Sequence, residues 1–175
     1  QNLGLRDREG RDSIVNPLFL EEAINVLFGA GVLKQNGRIH VDETRLTQVQ
    51  VPDTIHGLLL ARIDRLPVVE RDLLQIASVI GRQFSLGPLA EITPSTPRET
   101  ISELLDDLSA GQKMTQLVTA DPDWVYLFQH AMTHEVAYES LPYARRRELH
   151  EAVANWLLVN HSDNLTAFNP VLAYH

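Results

Sequence analysis

Apolar positions recur every three or four residues along most of this 175-residue chain, and that spacing predicts helices. The stretch NPLFLEEAINVLFGAGVL predicts one that opens with Pro17 in its first turn, where the missing N–H costs nothing, and closes near Gly29 to Gly31. GRIHV follows as a short extended segment. Next, Ile55, Leu58, Leu59, Ile63 and Leu66 fall on one stripe, with Asp53 as the expected cap and Pro67 as the stop. Leu73, Ile76, Ala77 and Ile80 repeat the pattern up to Gly81, and LGPLAEI predicts a short helix with Pro88 early and Pro94 soon after its end.

The strongest local signal is TPRETISELLDDL. Thr96 is the expected cap, Pro97 the first helical residue and Glu99 the reciprocal capping side chain, while Ile101, Leu104, Leu105 and Leu108 share a face. After Gly111, TQLVTADPDWVYLFQ reads as a β-hairpin with Asp121-Pro122-Asp123 in a type I turn. Helices over about 131–141 and 144–160 follow, the latter with Leu149, Val153, Trp156 and Leu157 inward. Short helices followed by a hairpin are in the order of a winged-helix unit, so the expected fold is mainly α with a small β-hairpin.

Hydrophobic residues make up 44% of the chain, enough to fill a core. Fifteen Lys and Arg against 23 Asp and Glu leave a net charge of −8, which disfavours long-range attraction to nucleic acid or an anionic membrane. The absence of cysteine excludes disulfides and thiolate chemistry and suits a reducing cytosol, so a cytoplasmic location is expected. No apolar run approaches a membrane span, and no membrane partner is expected. The first residue is Gln and the last stretch, NPVLAYH, stops inside an apolar pattern, which reads as a piece of a longer protein.

The candidate chemistry gathers in FQHAMTHEVAYESL, where His130 and His134 stand four residues apart. A zinc site needs a third protein ligand, and the metalloprotease pattern places its Glu between the histidines, whereas Glu135 follows the second. His130, His134, Ala137, Tyr138 and Leu141 instead share a packing face, so no metal site is expected. No Gly-x-Ser-x-Gly elbow, Ser-His-Asp arrangement or phosphate-binding loop occurs, and the pairs Glu21-Glu22 and Asp106-Asp107 lie on amphipathic helices as solvated carboxylates. No enzymatic activity and no cofactor are therefore expected of this chain alone. Duplex DNA is disfavoured too: the helix over 97–110 carries Arg98 among Glu99, Glu103, Asp106 and Asp107, the hairpin tip is acidic, and the basic run Arg145-Arg146-Arg147 lies elsewhere. A DNA-binding winged helix of a transcription regulator is kept as the alternative.

Three blocks, NPLFLEEAINVL, VPDTIHGLLLARIDRLPVVERDLLQIASVIGRQFSL and FQHAMTHEVAYESLPYARRRELHEAVANWL, closely resemble the segment after the ATPase core in bacterial signal-transduction ATPases with numerous domains. The nearest likeness is to those fused to class III adenylate/guanylate cyclase domains and followed by tetratricopeptide-type repeats. The resemblance spans residues 15–160. It implies the end of a helical ATPase lid and a linker over 1–50, a winged helix over 51–142 and the start of a helical repeat array over 143–175. It also implies a regulatory role that couples ATP or ADP, with Mg, in the parent's nucleotide-binding core to output and sensor domains. Implied partners are that core, the output domain, the repeats and, once activated, further copies of the parent. Two nucleotide contacts are implied within the parent. Pro17 matches the proline set against adenine, with Val15 where the family has Gly; His130 matches the histidine that contacts the β-phosphate of ADP, with Ala131 where relatives often have Asp. His134 is expected to be structural.

Overall fold

Backbone pairing starts the chain in the computed structural model, which describes residues 4–6, 12–14, 16–35, 38–46 and 52–160. Strands β1 (Gly4–Arg6) and β2 (Asp12–Ile14) are antiparallel, with Leu5 opposite Ser13. Asn16 then turns the chain into α1 (Pro17–Gly29), its side chain accepting from the Leu18 N–H at 3.0 Å, and Pro17 takes the first helical position as expected. Gly31, with φ +68, reverses the chain after the helix, a conformation that a side chain would strain. Strands β3 (Leu33–Gln35) and β4 (Ile39–Val41) pair antiparallel, β4 lying where GRIHV predicted an extended segment, and α2 (Glu43–Leu46) follows.

Helix α3 (Ile55–Arg65) packs on α1. Its cap is Thr54, not Asp53: the Thr54 hydroxyl accepts from Gly57 N–H at 3.1 Å, and its carbonyl accepts from Leu58 N–H at 3.0 Å. Val26, Val32, Leu58, Leu59 and Ile63 are fully buried. Between the two helices, Glu22 and Arg62 form an ion pair with side chains 3% and 10% exposed, and the Arg65 guanidinium donates to the Val26 carbonyl at 3.1 Å.

The chain divides into compact units 1–65 and 66–175, so α3 belongs with α1 in the first, although the sequence set a boundary at residue 50. The second unit opens with α4 (Val68–Ile80), ended by Gly81 at φ +151, a value that residues with a side chain rarely adopt. Then come β5 (Gln83–Ser85), α5 (Leu86–Ile92), α6 (Arg98–Asp106), β6 (Thr115–Thr119), β7 (Val125–Phe128), α7 (Ala131–Glu139) and α8 (Tyr143–Asn160). Helix α6 starts one residue later than predicted. Pro97 stands at its cap position with no side-chain hydrogen bond, so Thr96 does not cap it. The helix continues through a π-helical turn, Asp107–Gly111, where Ser109 Oγ donates to the Leu105 carbonyl at 2.7 Å.

The sheet has three antiparallel strands in the order β5, β7, β6. The hairpin expected over 115–129 supplies two of them, joined by a loop with a cis Asp121–Pro122 peptide in place of the expected type I turn. The third, β5, pairs Phe84 with Tyr126. Phe84, Tyr126 and Phe128 are buried and their rings meet, Phe84 to Tyr126 at 5.9 Å and Phe84 to Phe128 at 5.6 Å between centroids. Strand β6 is an edge strand: Thr115 is buried, but Leu117 and Val118 are exposed and the register slips between Leu117 and Thr119. Leu74, Leu89, Ile101, Leu105, Leu108, Met114 and Val136 are also fully buried in this unit. The fold is thus mainly helical with small antiparallel sheets. Helix α8, assigned from sequence to the start of a repeat array, packs on α4 and α5 within this same unit, and the rest of the predicted array, 161–175, lies outside the described residues.

Candidate functional site

Alternating burial along β7 places Tyr126 and Phe128 in the core and carries the chain out to Gln129 and His130. The exit is pinned by backbone bonds: Phe128 N–H to the Arg82 carbonyl at 3.0 Å, and Gln129 N–H to the Met114 carbonyl at 3.0 Å. Lys113, just before Met114, takes the left-handed conformation with φ 52. Two cationic residues, Arg82 and Lys113, therefore adjoin this corner along the backbone, and both are exposed.

His130 is the cap residue of α7, with φ −123 and ψ 142. Its carbonyl accepts from Thr133 N–H at 3.1 Å and His134 N–H at 3.4 Å, but its ring makes no capping hydrogen bond. The ring is half-buried. The first turn of α7 contains no acidic residue, so the positive end of the helix stays unneutralised beside it. That combination can hold an anion: a ring nitrogen unused for capping and the positive end of a helix without an acidic first turn.

His134, one turn on, is spent on structure, as the sequence predicted. Its Nε2 donates to the Ser78 carbonyl at 2.9 Å, and its ring stands edge-on to Phe128 with centroids 5.2 Å apart. Among the described residues no three His, Cys, Asp or Glu side chains converge as a metal site would require. Pro17, the second candidate contact, belongs to the first unit and His130 to the second. Pro17 is exposed behind its Asn16 cap, and Val15 lies outside the described residues.

A group that sequence reasoning treated as packing and a solvated run forms a second chemical cluster at the α7–α8 corner. Tyr138 and His150 share a hydrogen bond of 3.0 Å between OH and Nε2. The Arg146 guanidinium lies over the Tyr138 ring at 4.9 Å, and it donates to the Leu141 carbonyl at 2.9 Å and the Glu139 carbonyl at 3.0 Å. Burial, and then the charge of Arg146, push the His150 pKa below its ordinary value. With Tyr143, Arg147 and Glu151 these residues line a cleft of about 480 Å³. The one sequence signal was the spacing of Tyr143, Arg147 and Glu151 on one face of α8.

On the DNA-binding alternative, Arg98 is the lone cation of α6, and it pairs with Asp123 of the hairpin loop at 3.1 Å. No helix among the described residues is long and apolar enough to cross a membrane. No protein-family model, curated protein or solved structure matches this chain.

Proposed function

We propose that this chain is a non-catalytic regulatory arm of a multidomain signalling ATPase, a winged helix that senses ADP held by a nucleotide-binding core elsewhere in the same polypeptide. The residues that support the fold part of this reading are α4, β5, α5, α6, β6 and β7, whose helix–strand–helix–helix–strand–strand order is that of a winged helix. In this reading, α8 leads into a helical repeat array, and the output is a nucleotide cyclase. The resting, closed form would be stabilised by contacts that ADP makes only there, and exchange for ATP with Mg would release the arm.

The observation that carries the proposal is the setting of His130: a strand-to-helix corner with its ring unused for capping and the positive end of α7 beside it. A phosphate accepting from that ring gains a charge-assisted hydrogen bond, about 1.5–3 kcal/mol, which corresponds to roughly a ten- to hundredfold change in ADP retention. Pro17 is a weaker contact in the same scheme, because apolar packing on adenine adds little discrimination between ADP and ATP.

The test is ADP release from the full-length polypeptide. His130→Ala should speed release of a fluorescent ADP by about tenfold or more and raise the fraction in the active form. His130→Gln, which keeps an N–H donor, should lie between the two. An ADP release rate unchanged in His130→Ala overturns the latch. Binding to duplex DNA has weaker support, because Arg98 is neutralised by Asp123 and shares α6 with Glu99, Glu103 and Asp106.

A further inference from the structure

The latch makes no use of the cleft at the α7–α8 corner, which joins three features that ordinary solvated helix faces lack. Its cationic floor is built: Arg146 is held by two backbone carbonyls and the Tyr138 ring, so its charge is presented in one orientation. Beside it Arg147 is exposed and makes no salt bridge among the described residues, whereas Arg145 is engaged by Glu148 at 3.0 Å. Tyr143, at the first position of α8, is 82% exposed, the most exposed of the large hydrophobic residues among those described. Exposed Tyr and Arg side by side are the residue types that dominate binding energy at protein interfaces.

Charge narrows the occupant. The chain carries a net −8, and Arg145 to Arg147 is its single run of three consecutive cations, so an acidic partner is repelled by the chain as a whole and attracted here. A free phosphate would engage the guanidinium end and gain nothing from the Tyr143 ring. Glu151, one helical turn beyond Arg147, sets a negative limit to the cleft and disfavours a ligand whose charge is spread along its length. An acidic side chain next to an aromatic or apolar one satisfies both ends.

We propose that the cleft lined by Tyr138, Tyr143, Arg146, Arg147, His150 and Glu151 is a docking site for an acidic, aromatic-bearing peptide segment of a protein partner. The carboxylate sits against Arg146 and Arg147, and the apolar side chain lies on Tyr143. The inference does not depend on the nucleotide latch, since none of these residues takes part in it.

The test uses the 175-residue chain and a fluorescein-labelled octapeptide with one central Glu-Tyr pair flanked by Gly and Ser, followed by fluorescence anisotropy at low and near-physiological salt. Saturable binding is expected, weaker as salt rises. Arg147→Glu should weaken it by about tenfold or more and Tyr143→Ala by several-fold, while Glu151→Gln should tighten it. Tyr143 and Arg147 are exposed, so both variants should keep the wild-type circular dichroism spectrum, which confirms that a loss of binding is local. Absence of saturable binding, equal binding of the same octapeptide with Lys in place of Glu, or unchanged affinity in Arg147→Glu overturns the proposal. Full displacement of the peptide by pyrophosphate together with wild-type affinity in Tyr143→Ala also overturns it, and identifies a small-anion site instead.

Discussion

Removing Arg62 should destabilise the first unit far more than the loss of an ordinary surface ion pair. The Glu22 and Arg62 side chains are 3% and 10% exposed, and they link α1 to α3, which pack along each other. Arg62→Met keeps most of the apolar stem but leaves the Glu22 carboxylate without its cation in a site closed to water. The expected cost is about 3–5 kcal/mol, against roughly 0–1 kcal/mol for an exposed pair. At about 1.4 kcal/mol per tenfold, amide hydrogens of α1 and α3 should exchange roughly two to three and a half orders of magnitude faster. Hydrogen exchange with mass spectrometry is the suitable assay, because residues 1–65 contain no tryptophan, both Trp124 and Trp156 belonging to the second unit. The double variant Glu22→Leu/Arg62→Met should recover most of the lost protection, since no charge is then left buried. Protection in α1 and α3 within about 1 kcal/mol of wild type in Arg62→Met would refute the reasoning, and would mean that the pair is screened like a surface pair.

Three further outcomes follow from local geometry. Thr54→Ala should cost about 1 kcal/mol in urea unfolding while Asp53→Ala stays near zero, because Thr54 and not Asp53 bonds the first turn of α3. Tyr126→Phe should leave stability unchanged or raise it by about 1 kcal/mol. The Tyr126 hydroxyl is buried without a well-formed hydrogen bond, and burial followed by the charge of Asp106 pushes its pKa up, only partly offset by nearby Ser102; a clear loss would show that the hydroxyl is satisfied. His150 has its pKa lowered from the ordinary 6.5, so the unfolded chain binds the proton more tightly: stability should be full above pH 6.5 and fall as the pH drops below it. Melting temperature against pH should therefore slope less steeply in His150→Gln, and an identical slope would show that this ring does not set the acid side. Glu70 acts in the opposite sense, since burial and then Asp107 raise its pKa from 4.5, so its contribution declines as the pH rises past that value.

The helices of the second unit were legible because each buries a stripe long enough for its period to show, as with Leu73, Ala77 and their neighbours in α4 or Ile101, Leu105 and Leu108 through α6 and the π turn. Strand β5 was not. Its three residues, Gln83 to Ser85, are too few to display alternation, and it exists through pairing with β7 some forty residues later, Phe84 opposite Tyr126. The caps show the same limit at finer scale. Thr54 and Asp53 are both good capping residues, and Thr96 precedes a proline as an ideal signature would have it, yet which residue caps depends on where the chain bends, which tertiary contacts decide. The histidines carry the point into chemistry. His130, His134 and His150 are one residue type on two consecutive helical segments, and spacing could assign only the corner position of His130. His134 lost its freedom to a carbonyl on α4, that of Ser78, and His150 to a phenol on α7, that of Tyr138, each through a partner distant in sequence. A titratable side chain is available to a ligand when no such partner has claimed it, so the functional reading of this chain rests on His130, whose ring has no hydrogen-bond partner among the described residues.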